Sequence, residues 1–190
     1  MRRKLIWQVA MLIAAAQLAH ASALLTLSPA SGVISGYPGT TIGWGYTITN
    51  TDTNDWLELD DFSISPAIPS YLGTFTDFTA FNFIVVGPSS AVSQNFDPVL
   101  LTGVGSFAIA PNAPTGPQFF GIVMEYDLFS VDPTSDDFDP VLDTISTGNQ
   151  LDAPAGIDVV PEPATWLSMV AAFGLLGGLA RTRLRMRHGE

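Results

Sequence analysis

From Leu24 to Pro163 the chain contains no lysine, arginine, histidine or cysteine. All seven Lys and Arg lie at 2–4 and 181–187, and the two histidines are His20 and His188. Of the 18 acidic residues only Glu190 falls outside this segment, so its formal charge is about −17 with nothing to offset it. A fold built from it has no internal ion pair and no disulfide, and must be held by apolar burial and hydrogen bonds. Ser-His-Asp and Cys-His nucleophile systems are excluded. So are zinc sites of His and Cys. A phosphate loop lacks its lysine, and nucleic acid finds no cation to neutralise its backbone. Carboxylates, hydroxyls, amides and aromatic rings remain. They leave two chemistries open: a carboxylate pair for glycoside hydrolysis, and calcium binding through oxygen ligands.

The apolar pattern of the segment has period two. In Thr41–Thr49, Ile42, Trp44, Tyr46 and Ile48 alternate with Thr and Gly, as in a half-buried strand. Asn50, Asp52, Asn54 and Asp55 then supply turn chemistry. A second strand is predicted over Trp56–Ile64, with a bulge or end where Asp60-Asp61 breaks the alternation. Further strands are predicted at Thr79–Val86, Gly105–Ala110, Phe119–Asp127 and Ile157–Val160, with initial ones at Leu24–Leu27 and Val33–Ser35. No useful helical period occurs between 24 and 160, and no internal repeat or second domain is read. Gly148–Gly156, with Pro154 and small residues, reads as a loose stalk. The expectation is all-β: one antiparallel, immunoglobulin-like β-sandwich over residues 24–159. Trp44-Gly45-Tyr46-Thr47-Ile48-Thr49-Asn50 resembles the Y-x-I-x-N strand-to-turn pattern of immunoglobulin-like bacterial surface domains.

Three groups of residues are candidate sites. Asp132, Asp136, Asp137, Asp139 and Asp143 form the densest acidic run and are the calcium candidate. The run lacks EF-hand spacing and a closing bidentate glutamate, so the competing reading is a solvated acidic turn. Glu58 and Glu125 are the only glutamates between 24 and 160, and they are the candidate pair for a carboxylate hydrolase. Trp56, Tyr71, Phe75, Phe78 and Phe138 lie near turns, where they either stack on sugar rings or plug the ends of a sandwich. No cofactor beyond calcium is expected.

The two ends read as targeting segments. Residues 1–23 form a signal peptide: Arg2-Arg3-Lys4, an apolar stretch from Leu5 to Leu18, then Ala21-Ser22-Ala23 as the cleavage site, with cleavage after Ala23. Residues 160–190 have three parts. Pro161-Glu162-Pro163 comes first. An uncharged run of 17 residues, 164–180, follows. It makes about 25 Å of helix, close to the roughly 30 Å hydrocarbon core. A basic tail at 181–187, with Arg181, Arg183, Arg185 and Arg187, marks the cytoplasmic end. Both basic clusters stay inside, so everything between them is exported.

This three-part C-terminus resembles the PEP-CTERM sorting signal of exported bacterial proteins. The resemblance covers residues 160–187 only. It implies delivery by the general secretion machinery and transient anchoring in the inner membrane through the C-terminal helix. Cleavage near Pro161-Glu162-Pro163 by an exosortase would follow. It also implies a final place in the cell envelope or extracellular matrix of a Gram-negative bacterium, with extracellular polysaccharide as a partner. The expected function is a non-catalytic exported surface or matrix protein of biofilm type. A carbohydrate- or calcium-binding module is the alternative, and a carboxylate-based hydrolase a second one.

Overall fold

The computed structural model describes residues 23–162. Ten strands form: β1 (Ala23–Ser28), β2 (Val33–Gly36), β3 (Thr41–Asn50), β4 (Trp56–Ser65), β5 (Gly73–Asp77), β6 (Ile84–Val86), β7 (Ala91–Gln94), β8 (Gly105–Ile109), β9 (Gly116–Phe129) and β10 (Thr144–Val159). A single 3₁₀ turn, Thr79–Phe81, joins β5 to β6. The strands make two five-stranded sheets. One has the order β1-β3-β8-β5, with β7 also pairing β3; the other has the order β2-β10-β9-β4-β6. Among the described residues no helix is long and apolar enough to cross a membrane.

The alternation read in β3 sets the interior. Trp44, Tyr46 and Ile48 are buried and Ile42 is half-buried. They meet the inward residues of β4 and β9. Trp44 contacts Phe120 edge-on at 5.9 Å, and Tyr46 lies against Phe62 at 5.3 Å. Each such side chain contributes roughly 1.5–3 kcal/mol by leaving water. With no ion pair or disulfide available, these aromatic contacts and the aliphatic core around them hold the sheets together. One buried polar side chain is fully engaged. Asn50, fully buried, donates Nδ2 to the carbonyls of Asp55 (2.7 Å) and Val86 (3.1 Å), and its Oδ1 accepts from Asp52 N–H (3.0 Å). The Asx-rich segment after β3 is thus a structured turn: Asp52 Oδ1 accepts from the N–H groups of Asn54 and Asp55.

The all-β sandwich agrees with the sequence pattern, as does the bulge, which falls between Leu59 and Asp61. Four expectations are corrected. The sandwich is not wholly antiparallel, because β2 pairs with β10 in parallel. Thr79–Val86 is not one strand: its first half is the 3₁₀ turn, entered where Asp77 accepts from Thr79 N–H and Oγ–H, and only Ile84–Val86 pairs with β4. The final strand is not confined to Ile157–Val160. Gly148–Gly156 is not a stalk but part of β10, the longest strand, paired with β9 along most of its length. Pro154 is tolerated there because β2 covers β10 only from Gly156 to Val159, leaving an unpaired edge at Pro154.

Candidate functional site

The outer face of the second sheet gathers carboxylates that lie far apart in sequence. β4 and β9 are antiparallel, and their register sets Glu58 opposite Asp127 and Asp61 opposite Glu125. The bulge inserts Asp60 between them. Like charges in directly opposed positions destabilise a sheet, and no cation is present to relieve them. Proton binding is favoured at Asp60 and, in the same direction, at Glu58. Asp60 keeps an exposed surface, but partial burial of its carboxyl is the first cause of a rise to about 7. The charge of Asp127, a side-chain hydrogen bond to it, and then Glu58 and Glu125 add to the rise. Glu58 is also raised, by partial burial and then by Asp127. Neutral donors supply the remaining contacts: Gly148 N–H to Asp127 Oδ1 at 2.8 Å, and Gln150 Nε2 to Glu125 Oε2 at 3.3 Å.

A second pair of carboxylates comes together between the two sheets: Asp61, beside the bulge of β4, feels the charge of Asp77 at the end of β5. Partial burial and then the Asp77 charge raise Asp61. Tyr46 is influenced by the same charge. Its hydroxyl is buried without a hydrogen-bond partner, and burial, then Asp77, push its titration well above the usual phenol range.

Glu58 and Glu125 therefore share one sheet face, which their sequence positions alone do not reveal. Asp60 and Asp127 join them there. The legible signals for these two were the Asp doublet that interrupts β4 and the two-residue spacing of Glu125 and Asp127 on one strand. A hydrolase also needs a cleft between its acids. One cleft, near β5 and of about 350 Å³, is lined by apolar residues such as Ile64, Ile68 and Phe75, with Ser70 and Thr74. The carboxylate face and the cleft do not coincide.

The run at 132–143 is a chain of turns after β9. Asp132 Oδ1 accepts from Thr134 N–H (2.9 Å) and Oγ–H (2.7 Å). Asp139 Oδ1 accepts from Val141 N–H (2.8 Å), and Asp143 Oδ2 from Asp139 N–H (2.8 Å). Asp136 and Asp137 are exposed. Among the described residues no three such side chains gather as a metal centre, in this run or on the sheet face. Of the turn aromatics, Phe78 is buried, Trp56, Phe75 and Phe138 are half-buried, and Tyr71 is exposed.

At the termini, Ala23 is buried and opens β1 opposite Asn50, so a cut after Ala23 would remove one residue of the strand. Val160 N–H donates to Gly36 O at 2.9 Å, and Pro161 and Glu162 follow, exposed. Ala21, Pro163, the 164–180 run and Arg181, Arg183, Arg185 and Arg187 lie outside the described residues.

No family model matches the chain, and no curated protein matches it. Solved structures similar to it include WR4, a C. elegans MSP family member (11% identity, TM-score 0.33, covering 72% of this chain and 97% of that one). Another is an ASH/PapD-like domain of human CEP192 (8%, 0.35, 75% and 87%). A third is BslA, a bacterial hydrophobin (15%, 0.27, 75% and 96%). At these values the likenesses assign no function.

Proposed function

We propose that this chain is a non-catalytic exported surface or extracellular-matrix protein, sorted through a PEP-CTERM-type C-terminus. The cargo is the acidic sandwich, which we read as immunoglobulin-like. The general secretion machinery takes the chain out, and the apolar 164–180 run holds it transiently in the inner membrane. An exosortase then acts near Pro161-Glu162-Pro163, leaving the domain in the envelope or matrix of a Gram-negative bacterium, beside extracellular polysaccharide. The observation that carries the reading is where the fold closes. Among the described residues the last backbone bond of the sandwich is Val160 to Gly36, and the Pro-Glu element begins at the next residue, exposed. A protease acting there would release the domain without opening its core.

Changing Pro161, Glu162 and Pro163 together to Ala tests the reading by cell fractionation. The altered chain is expected to stay in the membrane fraction while the unaltered one is released. Equal release of both would sink the proposal. The calcium reading gains nothing from 132–143, where Asp132, Asp139 and Asp143 already accept hydrogen bonds within their own turns.

A further inference from the structure

Two loops of this domain carry the same heptapeptide. Phe96-Asp97-Pro98-Val99-Leu100-Leu101-Thr102 links β7 to β8, and Phe138-Asp139-Pro140-Val141-Leu142-Asp143-Thr144 runs into β10. Six of the seven positions are identical, a short repeat within a domain that has none at the scale of whole strands. The structure repeats as well. Each leading phenylalanine seats on a buried one: Phe96 stacks on Phe78 at 6.3 Å, and Phe138 meets Phe129 edge-on at 5.1 Å. Each aspartate closes a turn through Oδ1, accepting from Val99 N–H and from Val141 N–H, both at 2.8 Å. Each threonine hydroxyl donates to a carbonyl of its own loop, Asn95 or Pro140.

The anchor and the turn account for Phe, Asp, Pro and Thr. They do not account for Val and Leu. A β-branched residue gains nothing in such a turn. Yet Val99 is 86% exposed, Leu100 71%, Val141 85% and Leu142 79%. Single exposed apolar residues are ordinary, but the same adjacent pair, held rigid and fully presented twice, is not explained by folding. The first loop also has apolar neighbours. Asn82 Nδ2 donates to Leu101 O at 2.7 Å, linking it to the segment that bears exposed Phe81 and Phe83.

Charge narrows what can cover these pairs. The described residues hold no cation, and Asp136 and Asp137 stand immediately before the second heptapeptide. A second copy of this chain, or an anionic lipid surface, would bring uncompensated negative charge against it. A sugar offers no apolar pocket for Val-Leu. We propose that the two heptapeptides are equivalent docking pegs. Their Val-Leu pairs insert into an apolar pocket rimmed by lysine or arginine on another protein. Rigid presentation lowers the ordering cost of insertion, and two equal pegs in one chain raise avidity when both engage. The proposal does not depend on how the chain is sorted.

The test places the photo-cross-linker p-benzoyl-phenylalanine at Val99 or at Val141 of the full chain, in the cells that produce it. Mass spectrometry then maps the cross-linked peptides. Both positions are expected to label one and the same peptide of one protein, containing lysine or arginine. The cross-linker at Tyr71, 62% exposed on a different loop, should not label it. Leu100→Asp or Leu142→Asp should reduce labelling from its own loop about tenfold, with the melting temperature unchanged. Labelling of unrelated peptides from the two loops would overturn the proposal. So would labelling of a second copy or of lipid, or yields insensitive to the Asp substitutions.

Discussion

The indole Nε1 of Trp44 donates a 2.7 Å hydrogen bond to the carbonyl oxygen of Gly32, an oxygen that also accepts from Gly156 N–H at 3.1 Å. Trp44 belongs to one sheet and Gly156 to the other, so a single turn carbonyl joins both. Gly32 itself has φ +68, and a side chain there would collide with the Pro154 carbonyl. Gly32→Ala is therefore expected to destabilise the domain by more than about 2 kcal/mol, combining backbone strain with displacement of β10. Urea denaturation followed by Trp fluorescence measures this. A loss below about 0.5 kcal/mol would show that the turn is not a junction.

Asn50 performs the corresponding task at the other end of β3. Asn50→Ala would leave the Asp55 and Val86 carbonyls and the Asp52 N–H without these contacts in a buried place. The expected cost is about 2–4 kcal/mol by denaturant titration. Asn50→Asp should fare no better, since a carboxylate cannot donate to the two carbonyls.

The Tyr46 hydroxyl gives the opposite prediction. It is buried with no partner, so removing it removes an unmet polar group and leaves the ring against Phe62. Tyr46→Phe is expected to be neutral or stabilising by up to about 1 kcal/mol. A clear loss of stability would contradict the geometry.

The outer carboxylates make stability depend on pH. Asp60 titrates at about 7 in the folded protein, against an ordinary value of 3.8. Between roughly pH 4 and 7 the folded state holds a proton that the unfolded state has released, so stability falls as pH rises through this window. Above it the penalty is complete; below it Asp60 contributes none. Glu58 and Asp61, also raised, act in the same sense. The melting temperature should be higher at pH 5 than at pH 8. Asp60→Asn should raise stability at pH 8 by on the order of 1 kcal/mol once solvent screening is allowed for, and flatten the profile. Asp136→Asn, which removes a charge from an exposed loop, is the control. Equal flattening there would assign the effect to net charge rather than to the cluster.

Much of this architecture is legible in the residues, and the exceptions have physical causes. β3 announces itself because one face takes the large apolar side chains of the core and the other, less deeply covered, takes Gly and Thr, which gives strict alternation from Ile42 to Ile48. The Asp60-Asp61 doublet marks the bulge for the same reason. β10 is hidden because its composition around Gly148–Gly156 is that of a linker; pairing with β9, rather than propensity, makes it a strand. Thr79–Phe81 is apolar enough for a strand, but Asp77 accepts from Thr79 N–H and the next N–H groups, of Phe81 and Asn82, bond back to Phe78 and Thr79, which makes a 3₁₀ turn. The carboxylate face depends on register. Glu58 meets Asp127 only because β4 and β9 pair with one particular offset, which no local pattern encodes. The heptapeptide repeat is fully visible in the letters, yet its meaning comes from the exposure of Val99, Leu100, Val141 and Leu142.

The most direct test of the central claim is the intact mass of the released protein. The released chain should end near Pro161-Glu162-Pro163, lack residues 164–190 and therefore contain no lysine, arginine or histidine in its C-terminal half. A mature protein that still ends at Glu190 would contradict it.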